Sequence, residues 1–397
     1  MNQTLEQVAQ DLGFDFVTEP EDDLEFGFTR VLGNPTRLSI ESLIEKRSGE
    51  IRFAVADVSY RNQSGNTQSR LTHETVLYFE QPGLTLPSAT IQPRSLMTGL
   101  LATAMSFAGV QQVEFDDDPE FHDAYQVMTL QPESTRALLE ATLREYLTEH
   151  PGLTVRTDGP RLVVLRSGQR VSPDDLADFI DETDNIAVSL ARRGARLESL
   201  GIDPETEAKA ALQRTPALRG RIVPREDLET FLEQHPPRSI PRTVKRQYLG
   251  FVGLFLYVWG GMFFVFGSAV IIGLVASGEM PILVALPFSL MPLIGLGAIV
   301  LTFLYRRKQK RLLTSGACVR ARVTEVHTTN VTVNNQRRYK VVLQYEFEGR
   351  DLTSTINAYE PAVQKAFTLQ GSTEQTRILV DPANPERTLW IDSLPTT

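Results

Sequence analysis

Two long stretches without a charged residue constrain this chain more than any other feature of its sequence. Thirty-two uncharged residues separate Arg246 from Glu279, and another twenty-six separate Glu279 from Arg306. A helix needs about 20 consecutive apolar residues to cross a hydrocarbon core of about 30 Å. The pattern therefore predicts a membrane protein with two transmembrane α-helices, Leu249 to Ala276 and Ile282 to Tyr305, joined as a hairpin.

The charges around these stretches predict their orientation. The connecting loop carries Glu279 alone, whereas basic residues lie at both outer ends. Lys and Arg are enriched on the cytoplasmic side of membrane helices. We expect a multi-pass protein of the bacterial inner (cytoplasmic) membrane, with both termini in the cytoplasm and membrane lipids as partners. The topology anchors in this interpretation are Arg242, Lys245, Arg246, Arg306, Arg307 and Lys308.

A row of small residues predicts how the first helix packs. Ala269, Gly273 and Ser277 recur every four positions, a spacing that lets another helix approach closely. This face is expected to contact the second helix or another subunit. Neither stretch contains Asp, Glu, Lys, Arg or His, the side chains that mark ion and proton paths in membranes. A conduit formed by one hairpin is therefore not expected.

Charge and cysteine content exclude several classes of function. Residues 1–240 hold 23 Lys and Arg against 39 Asp and Glu, whereas residues 241–397 hold 17 against 10. Because binding of phosphates requires a basic surface, no nucleic-acid partner is expected for the acidic part. The single cysteine, Cys318, excludes intrachain disulfides and zinc sites made of four thiolates. Its apolar, strand-like neighbours predict a buried side chain without a catalytic role.

Residues 1–195 are predicted to form an α+β cytoplasmic domain that begins with a short amphipathic helix. Four runs rich in apolar and β-branched residues indicate an antiparallel sheet. Along the third run, Val55 and Asp57 share one face while Ala54 and Ala56 occupy the other, so both faces are expected to be covered. The four predicted strands are Phe26 to Leu32, Leu38 to Glu45, Ile51 to Tyr60 and Thr72 to Glu80.

The second half of this domain is predicted to be mainly helical. Ser95 to Val110 is apolar but too short for a third membrane span, which favours a core helix. Glu133 to His150 is expected to form one helix, and a hairpin centred on Thr157 to Pro160 follows it. Ser172 then precedes a proline and two aspartates, a pattern typical of a helix N-terminus.

The N-terminal region resembles the cytosolic part of uncharacterised bacterial membrane proteins with two spans. The shared features are the leading helix, the strand meander and a strand that carries an aspartate. They are followed by Leu-Pro and Gln-Pro pairs and by a Phe-x3-Tyr-x-Val element. The matching segments are Phe53 to Tyr60, Leu86-Pro87, Gln92-Pro93 and Phe121 to Val127. The resemblance covers about residues 1–190 and implies no activity.

A proline-rich, charged linker with a short helix near Glu226 to Gln234 is predicted over residues 196–247, before the membrane segment of 248–305. Residues 306–397 are predicted to form a small all-β cytoplasmic domain of antiparallel strands. The expected strands are Ala317 to Val326, Tyr339 to Phe347, Leu352 to Ile356, Thr376 to Val380 and Thr388 to Ile391.

This C-terminal module resembles a bacterial domain-of-unknown-function family, a small β domain attached to membrane helices. The chain has Val380 where a Tyr often precedes the Asp-Pro of the family's closing motif. The family supplies no catalytic residues. The matching positions are Gly316-Ala317, Val319-x-Ala321-x-Val323, Tyr345-x-Phe347-x-Gly349, Gly371 and Val380-Asp381-Pro382-Ala383-Asn384-Pro385.

Few residues of the sequence are candidates for catalysis or for binding a cofactor or a metal ion. No phosphate-binding loop, dinucleotide fingerprint, HExxH or GxSxG motif is present, and no cofactor and no catalytic residue are predicted. The acidic segment after Glu114 offers weak candidates for a divalent cation, because carboxylates and one histidine are close in sequence. These candidates are Asp116, Asp118, Glu120 and His122.

The favoured function is a non-catalytic, membrane-anchored scaffold or sensor that presents two cytoplasmic domains to a protein partner or to a second copy. Two alternatives stay open. One is a subunit of a transporter or channel that oligomerises through the Ala269 face. The other is an enzyme of unrecognised type, with Asp57 and the segment Asp116 to Asp123 as its best site.

Overall fold

The computed structural model describes residues 5–33, 35–61, 71–94, 110–214, 223–249, 258–269, 272, 282–333, 336–359 and 362–394. The chain divides into two compact units. The first comprises residues 1–219 together with 327–338, and the second comprises 220–326 and 339–397.

A nine-stranded antiparallel sheet forms the centre of the first unit. Its strands follow the spatial order β1-β2-β3-β4-β9-β8-β5-β7-β6. The predicted strands at Leu38, Ile51 and Thr72 and the hairpin after Leu153 are confirmed. The strands are β1 Asp15–Phe16, β2 Thr36–Ser48, β3 Ile51–Arg61, β4 Leu71–Glu80, β5 Leu86–Pro93, β6 Gln111–Val113, β7 Tyr125–Thr129, β8 Leu153–Gly159 and β9 Arg161–Arg166.

Helices cover both faces of this sheet. One face, with Val55 and Leu77, packs against five helices in a single apolar cluster. The opposite face, with Ala54 and Ala56, packs against one helix. The alternation along β3 therefore buries both of its faces, as its sequence predicted. The helices of the unit are α1 Leu5–Asp11, α2 Asp22–Val31, α3 Pro119–Ala124, α4 Pro132–Leu138, α5 Ala141–Glu149, α6 Leu176–Gly194 and α7 Pro204–Arg214.

One strand prediction and one helix prediction in this unit need correction. The run from Phe26 to Leu32 forms most of α2 and not a strand, because Leu24, Phe28 and Val31 lie on one helical face in the core. The segment Glu133 to His150 forms two helices that separate at Leu139 and Glu140. The predicted core helix from Ser95 lies outside the described residues except for its last residue.

The prediction of a helix start at Ser172 is confirmed. The Ser172 side chain accepts a hydrogen bond from the Asp175 amide, and a 3₁₀ turn at Pro173–Asp175 leads directly into α6. A Ser hydroxyl at this position satisfies one of the unpaired amides of a helix N-terminus. Residues 167–172 thus form a short connection between β9 and α6.

The second unit contains a five-stranded antiparallel sheet in the order β12-β11-β10-β13-β14. The sheet curls so that its outer strands meet, since the hydroxyls of Ser354 and Thr388 are 2.6 Å apart. The strands are β10 Ala317–Val333, β11 Gln336–Phe347, β12 Arg350–Ala358, β13 Thr376–Asp381 and β14 Asn384–Trp390.

The prediction of an all-β C-terminal domain is wrong, because helices pack on this sheet. One helix buries Val363, Ala366 and Leu369, and another contributes Leu228 and Phe231 to a cluster with Leu379 of β13. The helices of this unit are α8 Arg225–Glu233, α9 Arg242–Leu249, α10 at 258–269, α11 Ile282–Ser315 and α12 Ala362–Leu369.

None of the helices in the described part of the chain is both long enough and apolar enough to span a bilayer. The predictions of two transmembrane helices, of a multi-pass protein and of a location in the inner membrane are therefore wrong. The topology anchors and the lipid contacts rested on those spans. The corrected fold class is α+β, with one large sheet and one smaller, nearly closed sheet.

The hydropathy pattern showed only which apolar residues are consecutive in the sequence. It did not determine which of them belong to the same helix. Over the first predicted span, the described helix α10 has fewer than the about 20 residues that a crossing requires. Residues 250–257, 270–271 and 273–276 of that span lie outside the described residues. In the second, α11 starts at Ile282 but continues through the basic run to Ser315, and its last turns bury Leu312 and Leu313 in the core of the unit.

Helices α10 and α11 touch through two glycines. A Cβ built on Gly295 would lie 2.5 Å from the carbonyl oxygen of Gly260, and a Cβ on Gly260 would lie 2.9 Å from that of Gly295. Only residues without a side chain permit this approach. Of the predicted packing face, Ala269 is exposed, whereas Gly273 and Ser277 lie outside the described residues.

Candidate functional site

A pocket of about 440 Å³ in the first unit contains Asp57, one of the acids that the sequence singled out. It lies beside α1, β2, β3, β4 and the connection that precedes α6. Most of its lining is apolar, and its polar groups cluster around Asp57, Thr75 and Arg170. The apolar lining consists of Leu5, Ile44, Val55, Ala56, Val171, Pro173 and Leu176.

The strand period of two places Asp57 on the same face as Val55. Val55 belongs to the larger core cluster, whereas Asp57 lies further along the strand and keeps about a fifth of its side chain exposed. The register sets Asp57 opposite Thr75 on β4 and opposite Ser42 on β2. The carboxylate is thus fixed at the edge of a core.

Thr75 connects this carboxylate to the connection before α6. Its hydroxyl donates to Asp57 Oδ1 at 2.5 Å and accepts from the Val171 amide at 2.8 Å. The Thr75 amide also donates to the carbonyl of Gln169 at 3.0 Å. One buried side chain therefore sets the position of both the acid and the loop facing it.

Arg170 provides the positive charge of the site. Its Nε lies 3.6 Å from Asp57 Oδ2, and its guanidinium pairs with Glu41. A hydrogen bond from Ser59 and the guanidinium of Arg170 lower the pKa of Glu41. His73 Nδ1 lies 3.4 Å from the same carboxylate. Arg170 and the two carboxylates of Asp57 and Glu41 together carry one net negative charge beside the apolar pocket.

A second contact holds the loop from the other side of the sheet. Glu74 is buried, accepts from the Gly168 amide at 2.7 Å and also accepts from the Tyr60 hydroxyl at 2.7 Å. Gly168 has φ of +71°, a left-handed conformation that glycine adopts without strain. The loop is therefore a fixed wall of the pocket.

The arrangement suits binding better than covalent catalysis. Ligand sites in proteins are typically clefts of about 300 to 1,000 Å³ with mainly apolar walls and a few placed polar groups. Thr75 is the nearest hydroxyl to Asp57, but its proton and a lone pair are both engaged. An activated nucleophile needs a free base within hydrogen-bond reach.

The other predicted acidic segment has a structural role. Asp118 caps α3 by accepting from the Phe121 amide at 3.2 Å, and its second oxygen accepts from Arg144 Nε at 2.8 Å. Asp116 and Glu120 are exposed, and His122 Nε2 lies 3.1 Å from a guanidinium nitrogen of Arg94. Among the described residues, Asp118 and Asp57 share no hydrogen-bond partner.

No cluster of three His, Cys, Asp or Glu side chains placed to hold a metal ion occurs within the described ranges. The metal candidates Asp116, Asp118, Glu120 and His122 therefore gain no support from their geometry. The prediction of a buried Cys318 is wrong, because this residue is exposed on β10. Its side chain points to the face opposite the buried Ala321 and Val323.

Thr75 and Arg170 were not predicted from the sequence. Thr75 could have been found from the register of β3 and β4, since it is the residue opposite Asp57. Arg170 carries no such signal, because it lies in a loop whose path depends on the Thr75 and Glu74 hydrogen bonds.

No model of a protein family matches the sequence, and no curated protein matches it. Among solved structures, the chain is similar to the crystal structure of the mycobacterial trehalose monomycolate transport factor A, TtfA. The match covers 49% of this chain and 92% of that chain, at 11% sequence identity and a TM-score of 0.30.

Proposed function

We propose that this protein is a non-catalytic sensor whose first unit binds a small molecule in the Asp57 pocket. The observation that supports this proposal is a pocket of about 440 Å³ with apolar walls and a polar cluster that carries one net negative charge. The ligand class is an apolar molecule with one cationic or hydrogen-bond-donating group. Its apolar body would contact Ile44, Val55 and Leu176, and its head group would face Asp57.

Charge supports this choice of head group. One oxygen of Asp57 accepts from Thr75, and the nearest cation, Arg170, is 3.6 Å from the other oxygen and is shared with Glu41. An amine could approach Asp57 without displacing Thr75. A carboxylate ligand would meet the Asp57 carboxylate in the pocket, and like charges at short range in a partly buried site disfavour binding.

Two probes with the same chain and opposite head groups test this proposal. We expect octylamine to bind the full chain and to raise its melting temperature, because a ligand of the native state stabilises it. Octanoate should have at least tenfold lower affinity. Asp57→Asn should remove most of that discrimination, measured by calorimetric titration.

Asp178→Asn is the matched control, since it removes the same charge from an exposed position on α6. It should bind octylamine as the unaltered protein does. The proposal fails if neither probe binds, or if Asp57→Asn binds octylamine with unchanged affinity.

The expected partner, a protein or a second copy of the chain, stays a prediction. The outer faces of α10 and α11 carry exposed apolar side chains, including Phe266 at 66% and Leu301 at 69% exposure. Extended apolar surfaces generally mark sites of interaction. The predicted transporter alternative rested on two transmembrane spans, which none of the described helices forms.

A further inference from the structure

The second unit contains a polar cleft of about 650 Å³ that the proposed function does not use. Its walls come from α8, α12, the adjacent strands β10 and β13, and the turn before β13. Four cations and three carboxylates line it. The cations are Arg225, Arg320, Lys365 and Arg377, and the carboxylates are Glu229, Glu374 and Asp392.

Two of the three carboxylates are committed to one arginine. Arg377 forms two hydrogen bonds with Glu229, including one of 2.9 Å from Nη2 to Oε1, and its Nη2 also donates to Asp392 Oδ1 at 2.8 Å. Asp392 additionally accepts from the Arg377 amide at 2.7 Å. The guanidinium lowers the pKa of Glu229. The cluster of Arg377, Glu229 and Asp392 carries one net negative charge and is held rigidly.

Two of the remaining cations are compensated at longer range, since Arg225 and Lys365 add to the effect of Arg377 in lowering the pKa of Glu229. Within the part of the chain that the structure describes, no carboxylate lies within 4.0 Å of Arg225, Arg320 or Lys365. Lys365 Nζ donates to the main-chain carbonyl of Asp392 at 2.9 Å, which orients the ammonium without neutralising it. Glu374 is the one carboxylate of the cleft that Arg377 does not bind.

The strand register gives a further reason to expect an anionic ligand in this cleft. Arg320 of β10 lies directly opposite Arg377 of β13. Like charges at opposed positions of an antiparallel pair destabilise a sheet. Glu229 and Asp392 relieve this repulsion on the side of Arg377, whereas Arg320 is exposed to the cleft.

We propose that this cleft binds a small polyanion, with Arg320, Lys365 and Arg225 as the cations that contact it. The ligand class is a compact molecule with two or more phosphate or carboxylate groups. Guanidinium groups recognise both kinds of oxyanion through paired N–H donors. The Arg377 cluster acts as a fixed support that holds β13 and α8 beside the site.

Trp390 allows a direct binding measurement. Its indole Nε1 donates to Thr376 Oγ1 at 2.7 Å, and Thr376 lines the cleft. The chain has two tryptophans, so Trp259→Phe leaves Trp390 as the reporter. We expect inorganic pyrophosphate and citrate, titrated separately into full-length Trp259→Phe protein, to change its emission saturably for at least one probe.

Arg320→Gln should weaken the binding of that probe by about tenfold to a hundredfold, as expected for the loss of a hydrogen bond to a charged group. Because Arg320 is exposed and lies opposite Arg377, the variant should keep or slightly raise the melting temperature of its parent. Arg350→Gln removes the same charge from the exposed first residue of β12 in the same sheet and should bind normally.

Preference for pyrophosphate would assign a phosphate ligand, and preference for citrate a carboxylate ligand. The inference is overturned if neither probe binds, if Arg320→Gln binds as tightly as its parent, or if Arg350→Gln loses as much affinity as Arg320→Gln. The octylamine experiment concerns a different unit and a ligand of opposite charge, so either proposal can fail alone.

Discussion

Gly27 on α2 lies against the buried side chain of Tyr78. A Cβ at this position would be 2.1 Å from the Tyr78 hydroxyl oxygen. That hydroxyl donates to Glu80 Oε2 at 2.9 Å, and burial raises the pKa of Tyr78 well above its usual value. The ring cannot turn away without breaking this hydrogen bond in a fully buried environment.

We predict that Gly27→Ala lowers the free energy of unfolding by about 1 to 3 kcal/mol, the usual range for overpacking a core. The gain in helix propensity, at most about 1 kcal/mol, is too small to compensate. Urea denaturation of the variant, of Tyr78→Phe and of the double variant measures this effect. The double variant should recover part of the loss; strictly additive losses would show that the clash is absent.

Asp118 gives a pH-dependent prediction. Its hydrogen bond from Arg144 lowers the pKa of its carboxyl below the ordinary value. A group with a lowered folded-state pKa contributes stability above its unfolded-state pKa, and the contribution disappears as pH falls through the folded-state pKa. Asp118→Asn keeps a side chain that can cap α3 but removes the charge.

We expect Asp118→Asn to reduce the free energy of unfolding at pH 7 by about 0.5 to 1 kcal/mol, a value limited by solvent screening. The difference from the unaltered protein should shrink progressively below about pH 4. Urea denaturation between pH 7 and pH 3 measures it. A difference that stays constant over this range would show that the ion pair with Arg144 does not contribute.

Asp57 could be placed from the sequence because strict alternation along β3 defines its face. The residues that surround Asp57 could not be predicted from the sequence. Thr75 comes from another strand, and Arg170 comes from a loop about a hundred residues further along the chain. Contacts of this kind depend on sheet order, and β4 pairs with β9 rather than with the next strand, β5.

At the scale of elements, the crossing of α10 and α11 offers the sharpest test. Gly295 and Gly297 lie two positions apart in α11, but a Cβ on Gly297 would meet nothing within 4 Å. We predict that Gly295→Ala reduces stability by about 1 to 3 kcal/mol, because its methyl group would press on the α10 backbone.

Gly297→Ala is the control and should be neutral or stabilise by up to about 1 kcal/mol through helix propensity. Trp259 in α10 precedes Gly260, so its fluorescence in a denaturant titration reports on this crossing. Equal effects of the two substitutions would contradict the close approach.

Strands whose residues alternate with a clear period of two were predicted correctly. The secondary structure of short apolar runs was not. The run at Phe26 reads equally as a strand or as a buried helix, and its helical form is set by packing of Leu24 and Phe28 against β3 and β4. Helix α12 was missed, although Val363, Ala366 and Leu369 have helical spacing. Periodicity over so few residues does not decide between the two structures.

At the scale of the whole molecule, hydropathy led to the main error. Each uncharged stretch was predicted to form one membrane-spanning helix. Instead, α11 runs past the basic residues and buries Leu312 and Leu313 in the second unit. The end of a helix depends on what its last turns pack against, and a hydropathy window contains no such information.

The two units carry sites of opposite charge character. The first has an apolar pocket with a net negative polar cluster, and the second has a polar cleft with cations in excess. We infer two independent binding sites for chemically different ligands.

Hydrogen exchange of the loop before α6 tests the proposed sensor function most directly. The amides of Gly168 and Val171 donate to Glu74 and Thr75, so their exchange reports on the wall of the Asp57 pocket. We predict that octylamine slows the exchange of both amides in the unaltered protein and has no such effect in Asp57→Asn. Unchanged exchange at these amides, or equal slowing in both proteins, would contradict ligand binding at Asp57.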